Sequence, residues 1–270
     1  SDESIDLVVR GFCRAGVDNV IICPPTFGMY SVAARIQGAE VREVPLRAER
    51  EFALDVEAVL AACDANTRIV FLCSPNNPTG NALQAAAVEK LLVTLEDKSL
   101  VVVDEAYIEF SGDRSLAGSL ARFPNLVVLR TLSKAFGLAG ARVGSLVADA
   151  AIVALLGKVI PPYSIPQLTI EAVFATLAGP QLAIQRERVS QVRGERERLR
   201  TSLAAARGVR KVWPSVANFL LVDFDDADAA LEAARRAKLL IRDMRSVSPH
   251  SLRISVGTPE QNDRLIRSLA

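Results

Sequence analysis

One histidine, one tryptophan, four cysteines and an aromatic content of 5% make this a sequence short of several reactive side chains, and each scarcity removes a class of function. The single His250, in the turn Ser248-Pro249-His250-Ser251, excludes a histidine-rich metal centre. His-assisted serine or cysteine catalysis would rest on that one residue, which reads as solvated. Cys13, Cys23, Cys63 and Cys73 form no C-x-x-C pair and sit mostly in apolar segments, so they read as buried free thiols of a reducing cytosol. Charge of one sign is not in excess either: 32 Lys and Arg oppose 31 Asp and Glu, without a basic block, and nucleic acid is not an expected partner. No apolar run approaches the roughly 20 residues that cross a bilayer. Ser1-Asp2-Glu3 lacks the pattern of a signal peptide, and a soluble, cytoplasmic protein is expected. Neither G-x-G-x-x-G after a strand nor G-K-[ST] occurs, which argues against nicotinamide and nucleotide-phosphate loops.

What is present is hydrophobic substance: half of the 270 residues, enough for a substantial core. Short apolar runs at 19–23, 68–73, 100–104, 126–130 and 144–148 alternate with helical patterns such as Ala85 to Glu96, which predicts an α/β sheet covered on both faces. Ser1 and Asp2 are placed to cap a helix with Ile5, Val8, Val9 and Phe12 on its apolar face, ending near Gly16. The charged stretch Gln181 to Ala206 predicts one long helix with a solvated face. Beyond it, VRKVW, NFLLVDF, LLIRD and LRISV read as strands, with helices from Asp226 to Lys238 and from Pro259. The expected organisation is a large domain over 1–180, a linking helix over 181–206 and a small α+β domain over 207–270.

Three segments carry candidate chemistry. Ser74-Pro75-Asn76-Asn77-Pro78-Thr79-Gly80 follows a strand directly, and its prolines and glycine predict a rigid turn at the ligand end of the sheet, able to hold an amide in place. Asp104 closes the buried run LVVVD; a carboxylate there either meets a cation or caps the following turn. Lys134 lies among small and apolar residues in LVVLRTLSKAFGLAGARVG, surroundings expected to bury its amine, lower its pKa and make it a nucleophile. Thr131, Ser133 and Arg142 add hydroxyls and a fork of donors suited to a phosphate.

CPPTFGMYS, CSPNNPTG, VDEAYIEF, LRTLSKAFGLAGARVG and LRISVGT, in that order along nearly the whole chain, resemble the aspartate-aminotransferase superfamily of fold type I pyridoxal-phosphate enzymes, and within it the histidinol-phosphate aminotransferases. The resemblance implies a mostly parallel, seven-stranded type of sheet with a smaller C-terminal α+β domain. It implies pyridoxal 5'-phosphate as cofactor, histidinol phosphate and glutamate or 2-oxoglutarate as substrates, histidine biosynthesis as the setting, and a homodimer. It assigns Lys134 as the residue that carries the cofactor covalently and then acts as general base, and Asp104 as the partner that keeps the pyridine nitrogen protonated. Asn77 and Tyr107 would hydrogen-bond the ring's 3' oxygen, and Phe27, at a position often held by tyrosine, would stack on the ring. Thr131, Ser133, Arg142 and the backbone at Ser1 and Asp2 would hold the cofactor phosphate. Arg253 would grip a substrate carboxylate bidentately; Arg242 would meet the substrate's own phosphate and share that task with Arg253. Tyr30 is a further candidate for the substrate pocket.

The family also carries an N-terminal segment with an arm reaching the partner subunit, and a glycine before the pair matched by Ser1-Asp2. Neither is among these residues, and part of the small domain is expected to be missing with them. Related threonine-phosphate decarboxylases and aromatic aminotransferases share the motifs, and a truncated, non-catalytic fragment is a third possibility.

Overall fold

Successive residues of a strand face opposite sides of its sheet, so a strand that is apolar throughout needs cover on both. In the computed structural model, which describes residues 1–269, six strands form one sheet: β1 (Asn19–Ile22), β2 (Glu40–Glu43), β3 (Thr67–Cys73), β4 (Leu100–Asp104), β5 (Leu126–Thr131) and β6 (Gly144–Ala148). Their order is β2-β1-β3-β4-β5-β6. All neighbours run parallel except β6, which is antiparallel to β5. Five strands are the apolar runs of the sequence. The sixth, β2, has the sequence Glu-Val-Arg-Glu and sits at the edge, where partial exposure tolerates charge.

The covering helices are α1 (Asp2–Phe12), α2 (Met29–Gln37), α3 (Val56–Ala62), α4 (Ala85–Thr94), the short α5 (Ile108–Ser111) and α6 (Ala150–Leu156). Val20, Ile69, Phe71, Val102 and Leu129 face α1, α2 and α6. The alternate residues Ile21, Val70, Leu72, Val101 and Val103 face α3 and α4. Helix α1 buries Ile5, Val8 and Val9 as its pattern requires, but stops at Phe12, and the Ser1 side chain makes no capping bond. The early stop has a local cause: Cys13 is extended, and the Arg14 backbone N–H donates to Asp18 Oδ2 at 2.7 Å, opening a turn before Gly16 is reached.

After α7 (Gln167–Leu177), the 26-residue α8 (Gly179–Ala204) leads to a second sheet. It consists of β7 (Val209–Val212), β8 (Phe219–Phe224), β9 (Arg242–Asp243) and β10 (Ser251–Ser255), antiparallel in the order β7-β8-β10-β9. Leu199 and Leu203 of α8, with α9 (Ala227–Arg236) and α10 (Pro259–Leu269), cover it through Leu220, Val222, Leu252 and Ile254. Strand β9 is shorter than LLIRD suggests because Lys238 and Leu239 donate their backbone N–H groups to Arg235 and Ala234 and so finish the turn of α9. Buried Arg196 of α8 donates to the carbonyls of Phe110 and Ala217, at 3.2 and 3.0 Å, tying the end of α5 to the approach of β8.

Candidate active site

Strands β3 and β4 end at one level, with Cys73 opposite Asp104, and β5 passes Asp104 at Leu129 to end close by at Thr131. The loops that follow therefore open at a common rim, where parallel sheets collect ligands. A cavity of about 440 Å³ lies there. Around it stand Ser1, Asp2, Phe27, Asn77, Asp104 and Tyr107, then Thr131, Ser133, Lys134 and Arg142, and finally Arg242 and Arg253 from the small sheet. Residues 252 positions apart in the chain thus meet in one hollow.

Asp104 is its floor, 2% exposed. Burial pushes its carboxyl pKa up, against the pull of two donors: the Tyr30 hydroxyl to Oδ2 at 2.9 Å and the Ala106 backbone N–H to Oδ1 at 3.0 Å. The second bond is the turn cap left open by the sequence. Buried Tyr107, its pKa pushed up to about 12 by desolvation, packs edge-on against Phe219, and Lys134 Nζ lies 5.5 Å from its ring centre. Lys134 itself is exposed, contrary to the expectation of a buried amine. The small residues beside it, Gly137, Ala139 and Gly140, are exposed as well and lack the bulk to enclose its long side chain.

Arg253 Nη1 donates to Asn77 Oδ1 at 2.6 Å, which leaves the Asn77 amide N–H groups free to donate. The Arg253 guanidinium lies over the Phe219 ring at 5.1 Å, and its buried Nε has no partner among the described residues. Arg242 is its direct cross-strand neighbour, a like-charge pairing that is unfavourable unless an anion lies between. On the opposite wall, Thr131 Oγ1 is 3.0 Å from Ser133 Oγ, and Arg142 donates to Asp2 Oδ2 at 3.1 Å. Gly144 lets the start of α1 approach this wall, since a Cβ there would stand 2.5 Å from the Ser1 backbone nitrogen. The unpaired N–H groups of the helix's first turn thereby adjoin two hydroxyls and a guanidinium, an anion cradle.

The family model for aminotransferases of class I and II matches residues 1–269. The chain belongs to this aminotransferase family. It is 50% identical, over its whole length and 75% of the relative's, to histidinol-phosphate aminotransferase of Xanthomonas campestris pv. campestris. It is 48% identical, with the same coverage, to the enzyme of that name from Xylella fastidiosa. Among solved structures, histidinol-phosphate aminotransferase from Clostridium acetobutylicum matches with a TM-score of 0.89 at 22% identity, over 99% of this chain and 80% of that one. L-threonine-O-3-phosphate decarboxylase from Porphyromonas gingivalis gives 0.82 at 24%, over 99% and 80%; these two likenesses establish the fold.

Of the residues singled out in this aminotransferase, Tyr30 alone does not line the cavity. It is wholly buried because the inner face of α2 directs it under the sheet rim, stacked on Phe71 at 4.8 Å. Thr26, Cys73, Ala106 and Met244 line the hollow without having been singled out. For Cys73 and Ala106 a signal existed, as they flank the ends of strands β3 and β4. Met244 had none, since it enters only through the second sheet. A second hollow of about 520 Å³ adjoins the first beyond Ser133 and Arg142, lined by Leu7, Leu146, Leu156 and Ile160; it holds no lysine.

Proposed function

We propose that this aminotransferase exchanges an amino group between histidinol phosphate and 2-oxoglutarate, in histidine biosynthesis, with pyridoxal 5'-phosphate as cofactor. The carrying observation is that relatives about half identical over the whole chain bear that name. The donor set fits the cofactor: a buried carboxylate for a protonated ring nitrogen, amide N–H groups and a phenol for a ring oxygen, and the cradle at α1 for its phosphate. When bound, pyridoxal phosphate supplies a carbonyl carbon that takes up the amino group and a ring that draws electrons from the substrate.

In this reading, Asp104 would meet the ring N–H with a fixed carboxylate, and Phe27 would cover a ring face. Asn77 is turned by Arg253 so that its amide donates. Lys134, exposed to the cavity, would take the proton from Cα of the amino donor on its Nζ and, in the return half of the exchange, give a proton to Cα of the newly formed amino compound. Arg253 and Arg242 bind the anionic end of either substrate: a dianionic phosphate suits both, and a carboxylate suits the planar fork of Arg253. Tyr107 donates its hydroxyl to the ring oxygen, which its raised pKa allows across the neutral range.

The division into a large domain over 1–180, a linking helix and a small domain over 207–270 belongs to the same reading, as does a cytoplasmic homodimer. Free cysteines support a reducing compartment. No described helix is long and apolar enough to cross a membrane. The test is a visible spectrum of the protein with pyridoxal phosphate, before and after histidinol phosphate. The bound cofactor's band is expected to fall on adding substrate and to recover with 2-oxoglutarate; Lys134→Ala is expected to lack the band and turnover. Release of carbon dioxide without 2-oxoglutarate would identify a decarboxylase instead, and no band in the wild type would point to a non-catalytic fragment.

A further inference from the structure

The part of Asp104 that faces away from the cavity is held by a residue with no direct access to any ligand. Tyr30 is wholly buried, with its ring fixed by stacking on Phe71 at an interplanar angle of 5° and by an edge contact from Phe27 at 5.7 Å. A phenol hydroxyl at that depth needs a partner, and it donates to Asp104 Oδ2 at 2.9 Å. From the other side the Ala106 N–H reaches Oδ1 at 3.0 Å. The two donors come from different elements and take different oxygens, so the carboxylate cannot rotate without breaking one of them.

We propose that Tyr30 is a positioning residue: its hydroxyl clamps Asp104 in one orientation and in the ionised form, ready for a cationic ring nitrogen. The inference rests on the pyridoxal-phosphate reading above. The clamp matters because burial alone favours a protonated Asp104, and a protonated carboxyl offers a poor partner to an N–H cation. The groups that face Asp104 are Tyr30 from α2, Cys73 from β3, Tyr107 beyond β4, and Asp2 with the amino end of α1. Burial raises the thiol of Cys73 and the phenol of Tyr107 to about 12, and Tyr30 is raised also. These three stay neutral while Asp104 titrates. Phe27 lies in the loop just before α2 and Tyr30 in its first turn, so one short segment presents a ring to the cavity and a hydroxyl to the floor beneath it.

Tyr30→Phe removes the hydroxyl and keeps the stacked ring. In the cofactor-free full chain, the Asp104 carboxyl carbon, followed by NMR, is expected to titrate at higher pH in this variant than in the wild type. Pyridoxal phosphate is expected to bind about tenfold more weakly, the scale of one lost hydrogen bond to a charged group, with the deficit growing as pH falls. In an Asp104→Asn background the same change is expected to alter binding by less than about twofold, because the partner through which Tyr30 acts is gone. An unmoved Asp104 titration, or an equal loss of binding in the Asp104→Asn background, would overturn the clamp and leave Tyr30 a packing residue. Should Tyr30→Phe not fold, the wild-type Tyr30 hydroxyl proton serves: it is expected downfield while Asp104 is ionised and to move upfield as Asp104 protonates, and a pH-independent signal refutes the proposal. A wild type that fails to bind pyridoxal phosphate refutes the cofactor reading, whereas a shifted Asp104 titration would still support the clamp.

Discussion

At the scale of the residue, Asp104 puts function and stability in opposition. Its pKa is raised on folding, so the unfolded chain gives up its proton first. Stability is then lost as pH rises from the unfolded pKa through the folded one, and the buried charge remains a cost at neutral pH. Asp104→Asn is accordingly expected to raise the melting temperature of the cofactor-free protein at pH 7, by roughly 2–4 °C for each kcal/mol recovered. The gain should vanish at acid pH, while cofactor binding and turnover fall; melting curves at pH 4 and 7 check the sign. Arg253 differs from a surface arginine in its bond to Asn77 and its unpartnered Nε. Arg253→Lys keeps the charge but loses the fork. The expected outcome is a rise in KM for histidinol phosphate of about tenfold or more, for about 1.5–3 kcal/mol of lost charged hydrogen bonding, with a smaller change from Arg242→Lys because Arg242 is exposed.

At the scale of the element, the loop after β3 depends on one glycine. Gly80 has φ +82°, and a Cβ there would run into the Ser215 side chain, whose hydroxyl donates to the Phe219 carbonyl at 2.6 Å. The Val216 N–H also donates to the Gly80 carbonyl, at 2.8 Å. This contact locks the Asn77 loop to the lead-in of β8, hence to the sheet that carries Arg253. Gly80→Ala combines backbone strain with a collision and is expected to cost about 1–3 kcal/mol, measurable by urea denaturation. It should also raise KM for substrate, because Asn77 and Arg253 lose their common register. Gly208, with φ +74° but nothing within 4 Å of a Cβ, provides the comparison in which only the strain is felt.

At the scale of the whole molecule, the segment through α7 leaves several large apolar side chains exposed. Tyr163, Leu168 and Phe174, in and just before α7, are 100%, 79% and 72% exposed, beside the hollow of about 520 Å³ lined in part by Ile160 and Ile165. Exposed apolar groups concentrated in one segment suit an interaction surface, and the proposed homodimer supplies a partner for it. Leu168→Asp together with Phe174→Asp is expected to shift the protein from dimer to monomer in sedimentation equilibrium, and a wild type that is monomeric at all concentrations would refute the dimer.

The sequence by itself determined the main strands, because a parallel strand covered on both faces must be apolar at every position, and that run is visible without a partner. It also placed Asn77, Asp104 and Lys134 at or just past the ends of such runs, and the structure brings all three to one cavity. Charged β2, the two-residue β9 and the early end of α1 were not legible, because edge pairing and side-chain bonds such as Arg14 to Asp18 decide them. Tertiary structure alone decided that Tyr30 lies beneath the cavity and not in it, and that Lys134 stands exposed. Helical spacing tells which residues share a face; what that face meets depends on how the helix is laid against the sheet.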